Sequence, residues 1–154
     1  MATVYSVQKT VWDQTQPSKK NKPNELAGRV RIAYALYEAS SLASGDVIEM
    51  FNLPNGARVL EGTLTHDAMA SSTTLSVGHA AYNNAAGTAV ALDADEFFAA
   101  AASTAITTVA VAATSALGRN TVIDADYSGY PVTVTMGGAA GTGTVELQML
   151  YVID

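Results

Sequence analysis

The chain has 154 residues, room for one ordinary domain, with 49% hydrophobic and 14% charged residues, a balance that excludes a disordered chain. Cysteine is absent, which removes a disulfide scaffold, a thiolate metal site and a cysteine nucleophile together. No window approaches the roughly 18 unbroken apolar residues of a membrane-spanning helix, and residues 1–5 show no basic start leading into an apolar secretory core. The apolar residues are mostly small, 28 Ala beside 17 Thr, with 1 Trp and 3 Phe.

The net charge of −6 is unevenly spread. Lys9, Lys19, Lys20, Lys22, Arg29 and Arg31 crowd the first 31 residues against only Asp13 and Glu25. Arg58 and Arg119 stand alone among the acids of the remainder. A basic leader on an acidic body suits docking on an acidic surface, such as another copy of the chain. Nucleic acid is disfavoured, because the body repels phosphate and the leader offers only Tyr5 and Trp12 for stacking.

In chain order, residues 3–7 alternate weakly and suggest a short strand. Residues 13–28 hold Pro17 and Pro23 and almost no large apolar side chain, so they read as an extended linker. Residues 1–28 thus form an extended N-terminal arm, and residues 29–154 form the domain. From Arg29 the period is two, with Val30, Ile32 and Tyr34 on one side, although residues 33–37 also tolerate a helix. Across residues 46–61, two runs of strand formers flank Pro54-Asn55-Gly56, a tight connection between strands.

Further strands are expected at residues 73–77, 106–112, 121–124, 131–136 and 144–153. Val132, Val134 and Met136 oppose Thr133 and Thr135, and Val145, Leu147, Met149 and Tyr151 oppose Glu146 and Gln148. Leu150 and Val152 add apolar residues on the other side, so the last strand reads as buried on both faces near its end. One short helix is expected at residues 93–102. Asp93 and Glu96 have capping-box spacing there, and an alanine run follows Phe97-Phe98. Short strands separated by turn residues give an all-β class, an antiparallel β-sandwich of jelly-roll type.

Little here points to catalysis. His66 and His79 are the only histidines, and neither has a metal-ligand partner at the usual spacing. No Gly-x-Ser-x-Gly elbow presents a nucleophile. Residues 93–96 read as a helix start and residues 124–126 as the lead into a turn, rather than as calcium ligands. The glycine-rich residues 137–143 lack the lysine of a phosphate-binding loop and read as a flexible inter-strand loop. No enzyme, cofactor or metal is indicated.

The segment from Gly45 to Leu60, GDVIEMFNLPNGARVL, resembles the acidic-strand, Leu-Pro-x-Gly-Ala-x-Val segment of small structural proteins from tailed bacteriophages. TTLSVG at residues 73–78 and GTGTVELQMLYV at residues 141–152 are similar to segments of the same proteins. The resemblance spans about residues 29–154 and leaves out the lysine-rich leader. It implies a capsid decoration (cement) protein, non-enzymatic, bound to the outer surface of the major capsid protein shell. It also implies a place on the virion after synthesis in the host cytoplasm, and copies associated as a homotrimer. The arm, through Trp12, Lys19, Lys20 and Lys22, is the expected partner contact. A carbohydrate-binding head-fibre or adhesin domain is the alternative on the same fold.

Overall fold

The computed structural model describes residues 6–12, 16, 22 and 28–153. A six-residue helix, α1 (Val7–Trp12), stands within the expected arm. Ser6 starts it: its hydroxyl accepts the Lys9 amide at 3.2 Å, and its carbonyl accepts the Thr10 amide at 3.0 Å. Val7 therefore belongs to a helical turn, and residues 3–5 of the expected first strand lie outside the described residues.

Ten strands follow: β1 (Val30–Leu42), β2 (Val47–Leu53), β3 (Arg58–His66), β4 (Thr73–His79), β5 (Tyr82–Asn83), β6 (Ala89–Val90), β7 (Asp93–Ala102), β8 (Thr107–Val111), β9 (Tyr130–Gly138) and β10 (Gly141–Val152). Eight build two four-stranded sheets, in the orders β1-β10-β3-β8 and β2-β9-β4-β7, and β5 and β6 form a small hairpin inserted before β7. All the pairings are antiparallel. Two sheets in which β1 to β4 alternate sides, and β8 to β10 alternate again, make an eight-stranded jelly roll.

The strand pattern explains the core. Leu64 and Val59 on β3, Leu147 and Met149 on β10, Leu75 and Val77 on β4, and Val132, Val134 and Met136 on β9 are essentially sealed from solvent. They meet between the sheets with Leu53, Phe97, Val111 and Ile123. β10 buries Val145, Leu147 and Met149, whereas Glu146, Gln148 and Leu150 on its other face are half-buried. Burial on both faces is thus confined to the end of the strand, where Val152 is covered.

Residues 54–56 connect β2 to β3 as expected, with the Ala57 amide donating to the Pro54 carbonyl at 3.1 Å and Gly56 at φ +80°. The turn does not close a hairpin: β2 pairs with β9 and β3 with β10, so it carries the chain from one sheet to the other. Residues 121–124 make a single bridge, Val122 to Arg58, instead of a strand. Residues 137–143 are mostly strand, with only Ala139 and Ala140 between β9 and β10, rather than a long flexible loop.

The helix expected at residues 93–102 is wrong: the segment is β7, paired with β4 through His79–Asp93, Val77–Phe98, Leu75–Ala101 and Thr74–Ala102. Alanine favours helix by only a few tenths of a kcal/mol per residue over strand-forming residues. Completing a sheet and burying Phe97 outweigh that preference. Asp93 Oδ1 accepts the Asp95 amide at 3.1 Å at the start of β7 and caps no helix. Gly78 makes the approach possible, since a Cβ there would stand 2.0 Å from the Asp93 carbonyl oxygen.

Candidate functional site

A cluster of titratable and aromatic side chains lies where β4, β7 and β9 meet. His79 ends β4, Glu96 lies on β7, Tyr130 begins β9, and Tyr82 enters from the β5–β6 hairpin. His79 Nε2 is 3.2 Å from Glu96 Oε2, with the histidine side chain 6% exposed. Its Nδ1 lies 2.8 Å from the Ala80 carbonyl. With both nitrogens facing acceptors, the surroundings favour the doubly protonated ring. Burial pulls the His79 pKa down, but the Glu96 carboxylate and the Ala80 carbonyl outweigh it and raise the pKa above its ordinary value.

The hydrogen bond from His79 holds Glu96 below the usual carboxylate range against the opposing effect of burial. The Tyr130 hydroxyl donates to the same oxygen at 2.5 Å, and burial together with Glu96 pushes its phenol upward. Burial likewise raises Tyr82. The rings form one cluster, with centroids 5.2 Å apart for His79–Tyr82, 4.9 Å for His79–Tyr130 and 4.8 Å for Tyr82–Tyr130. Both ring nitrogens of His79 are engaged, and the cluster ties three strands together.

His66 repeats the local geometry at the end of β3, its Nδ1 facing the Asp67 carbonyl at 2.8 Å. Asp67 Oδ2 accepts the Thr144 amide at 2.9 Å, and that bond holds its carboxyl below the usual range. The acidic residues near 124–126 also serve the backbone. Asp126 Oδ1 accepts the Ser128 amide at 2.8 Å, and Asp124 Oδ1 accepts the Ala85 amide at 3.2 Å. A cleft of about 400 Å³ beside them is lined by Glu49, Asn52, Tyr82, Asn83 and Asp126, and Asn52 Nδ2 already donates to the Ser128 carbonyl at 3.0 Å. Among the described residues, no group of three or more His, Asp or Glu is placed to hold a metal ion.

The surface has one marked apolar feature. Along β1, Val30, Ile32, Tyr34 and Leu36 point away from the core and are 59%, 56%, 54% and 55% exposed. The intervening Ala33, Ala35 and Ala39 turn inward, half-buried or buried. Four large apolar residues thus face out, while the inward side carries the three alanines together with the exposed Arg31 and Tyr37. Ile32 stands opposite the half-buried Leu150 of β10, which extends the stripe by one residue. The alternation of Val30, Ile32 and Tyr34 is visible in the sequence, but only the sheet order reveals that this side is the outer one.

Most of the expected partner contacts lie outside the described residues. Trp12 ends α1, and its side chain, like all of Lys19 and Lys20, lies outside the described residues. Lys22 is exposed.

No protein-family model matches the chain, and no curated protein matches it. Solved structures that share its fold include chains of two phage capsids. A chain of the cyanophage Pam1 capsid asymmetric unit is 22% identical with a TM-score of 0.60, and the match covers 82% of this chain and 86% of that one. A chain of the capsid of Ralstonia phage GP4 is 26% identical with a TM-score of 0.58, with coverage of 82% and 86%. The jelly roll is thus the fold of chains in two phage capsids, and it agrees with the resemblance that the sequence bears to phage structural proteins.

Proposed function

We propose that this protein is a non-catalytic virion component that decorates and stabilises a phage capsid by binding the outer surface of the major capsid protein shell. The observation that supports it best is the match to the GP4 capsid chain, whose covered shares of 82% and 86% make the two chains nearly equal in length. A small jelly roll whose His79–Glu96–Tyr130 cluster ties strands together works through its surfaces. Decoration needs only that: each copy contacts neighbouring shell subunits, and many modest contacts add through effective concentration. The same reading includes copies grouped around threefold positions of the shell, and an arm in which Trp12, Lys19, Lys20 and Lys22 lie against a partner.

Co-sedimentation tests it. Purified protein mixed with assembled shells that lack it should pellet with them to saturation, and unassembled major capsid protein should compete poorly. Protein that stays in the supernatant at every shell concentration removes the proposal. The alternative, a carbohydrate-binding domain, has one observation in its favour: Tyr127 is fully exposed on the loop beside the Asn52–Asp126 cleft. Saturable glycan binding lost in Tyr127→Ala would establish that reading instead.

A further inference from the structure

β1 is the edge of its sheet, with β10 on one side and, among the described residues, no strand on the other. It is 13 residues long. Edge strands of this length are normally blunted by lysine, proline or a bulge, because an open row of backbone donors and acceptors recruits another strand. From Val30 to Ala39 this strand has no lysine and no proline, and its first register irregularity comes only between Ala39 and Leu42. The same stretch carries the outward stripe of Val30, Ile32, Tyr34 and Leu36. A long edge free of lysine and proline, with Arg31 and Glu38 as its charges, coincides with the exposed apolar stripe on one strand.

The pattern of that strand selects its partner. We infer that the free edge of β1 is an interface at which a second copy of this chain adds its own β1 in antiparallel orientation, about a twofold axis at Ala33. In that register Val30 of each copy faces Leu36 of the other, and Ile32 faces Tyr34, so every member of the stripe meets an apolar side chain. Cross-strand pairs of aromatic and branched residues are the favourable ones. Shifting the axis to Tyr34 sets Val30 against Glu38 and breaks the match.

Charge points the same way. Arg29 and Arg31 lie at one end of the strand and Glu38 at the other. In the antiparallel register Arg31 of each copy faces Ala35 of the other, whereas an in-register parallel pair sets Arg31 beside Arg31 and Glu38 beside Glu38. The contact is isologous, with the same residues on both sides, and it joins two four-stranded sheets into one continuous sheet of eight. It differs in kind from the heterologous contact that the proposed threefold grouping requires, so it would link one such group to the next.

Sedimentation of the full chain, in the absence of shells, tests the inference against the Ile32→Glu/Tyr34→Glu variant. Both side chains are more than half exposed, so the isolated copy keeps its fold, which far-ultraviolet circular dichroism verifies. The expected result is an assembly at micromolar concentration whose mass falls by half in the variant. A cysteine-free chain allows a second measurement. Ala33→Cys, lying on the axis, should form a disulfide-linked pair on mild oxidation in higher yield than Tyr127→Cys, which is fully exposed and links only by collision. A wild-type mass of 15.9 kDa, a mass unchanged by the two glutamates, or equal linking at the two cysteine positions overturns the inference. So does a wild-type monomer that loses shell binding in the glutamate variant, because the stripe would then serve the shell.

Discussion

His79 Nε2 lies 3.2 Å from Glu96 Oε2, and the Tyr130 hydroxyl reaches the same oxygen, so one carboxylate ties β4 and β9 to β7. Both nitrogens of His79 face acceptors, so the contact is strongest when the ring is protonated and Glu96 is ionised. It makes the stability of the fold depend on pH. His79 has its folded pKa raised above 6.5, so its contribution is complete below that value and is lost as pH rises through the raised pKa. Glu96 has its folded pKa lowered below 4.5, so its contribution is complete above that value and is lost as pH falls through the lowered pKa. The pair therefore stabilises fully between about pH 4.5 and 6.5. The thermal midpoint should fall as pH rises from 6 to 9, and Glu96→Gln should flatten that slope while lowering stability near pH 6 by about 1–3 kcal/mol. An unchanged slope in the variant would contradict the assignment.

Gly78 sets how closely β7 lies on β4. A Cβ at that position would meet the Asp93 carbonyl oxygen at 2.0 Å and the Ala94 carbonyl carbon at 2.5 Å, both backbone atoms that no side-chain rotation can move. Gly78→Ala should destabilise the domain by about 1–3 kcal/mol or more, read from urea unfolding. Gly87→Ala provides the contrast: it has open space around it but φ +80°, so its cost is backbone strain alone, about 1 kcal/mol.

The exposed alanines of β7 distinguish strand from helix directly. Ala100 lies on the open edge of its sheet and is exposed. In a helix, Ala100→Val would cost about 0.5 kcal/mol. In an edge strand the same change should be neutral or stabilising by a few tenths of a kcal/mol. Equilibrium unfolding of the single variant decides between the two.

That segment shows where sequence patterning stops being informative. Its local signals, Asp93 three residues before Glu96 and then an alanine run, are those of a helix, and nothing nearby announces that Gly78 has cleared a place beside β4. Long-range completion of a sheet overrode local propensity. At residues 54–56 the turn chemistry was legible because Pro, Asn and Gly act locally, yet the passage from one sheet to the other was not, since pairing partners lie about 80 residues away in β9 and β10. The β10 alternation was read correctly, because Val145, Leu147 and Met149 face a core that a period of two defines. Strand β1 has the same period, and its sequence does not say which side is out. The His79–Glu96–Tyr130 cluster was missed for a similar reason: three residues from three strands share no spacing in the chain.

The proposed role of the leader gives a separate expectation. Deleting residues 1–24 should weaken shell binding and leave the thermal midpoint of the remaining domain nearly unchanged, because the core residues lie beyond it. Each lysine of the arm adds at most about 1 kcal/mol as an exposed ion pair. Lys19→Ala/Lys20→Ala/Lys22→Ala should therefore reduce shell affinity modestly and make it less sensitive to salt, and Trp12→Ala should cost more than any one lysine. Full shell occupancy after the deletion at physiological salt would leave the arm without a part in binding.

The most direct test of the account is an electron cryomicroscopy reconstruction of shells that lack this chain, imaged before and after the purified protein is added. The account predicts new density on the outer surface, repeating with the lattice of the shell, into which the two-sheet jelly roll fits with the arm side toward the shell. Saturating protein that leaves the outer surface unchanged, or density found only inside the shell, would contradict it.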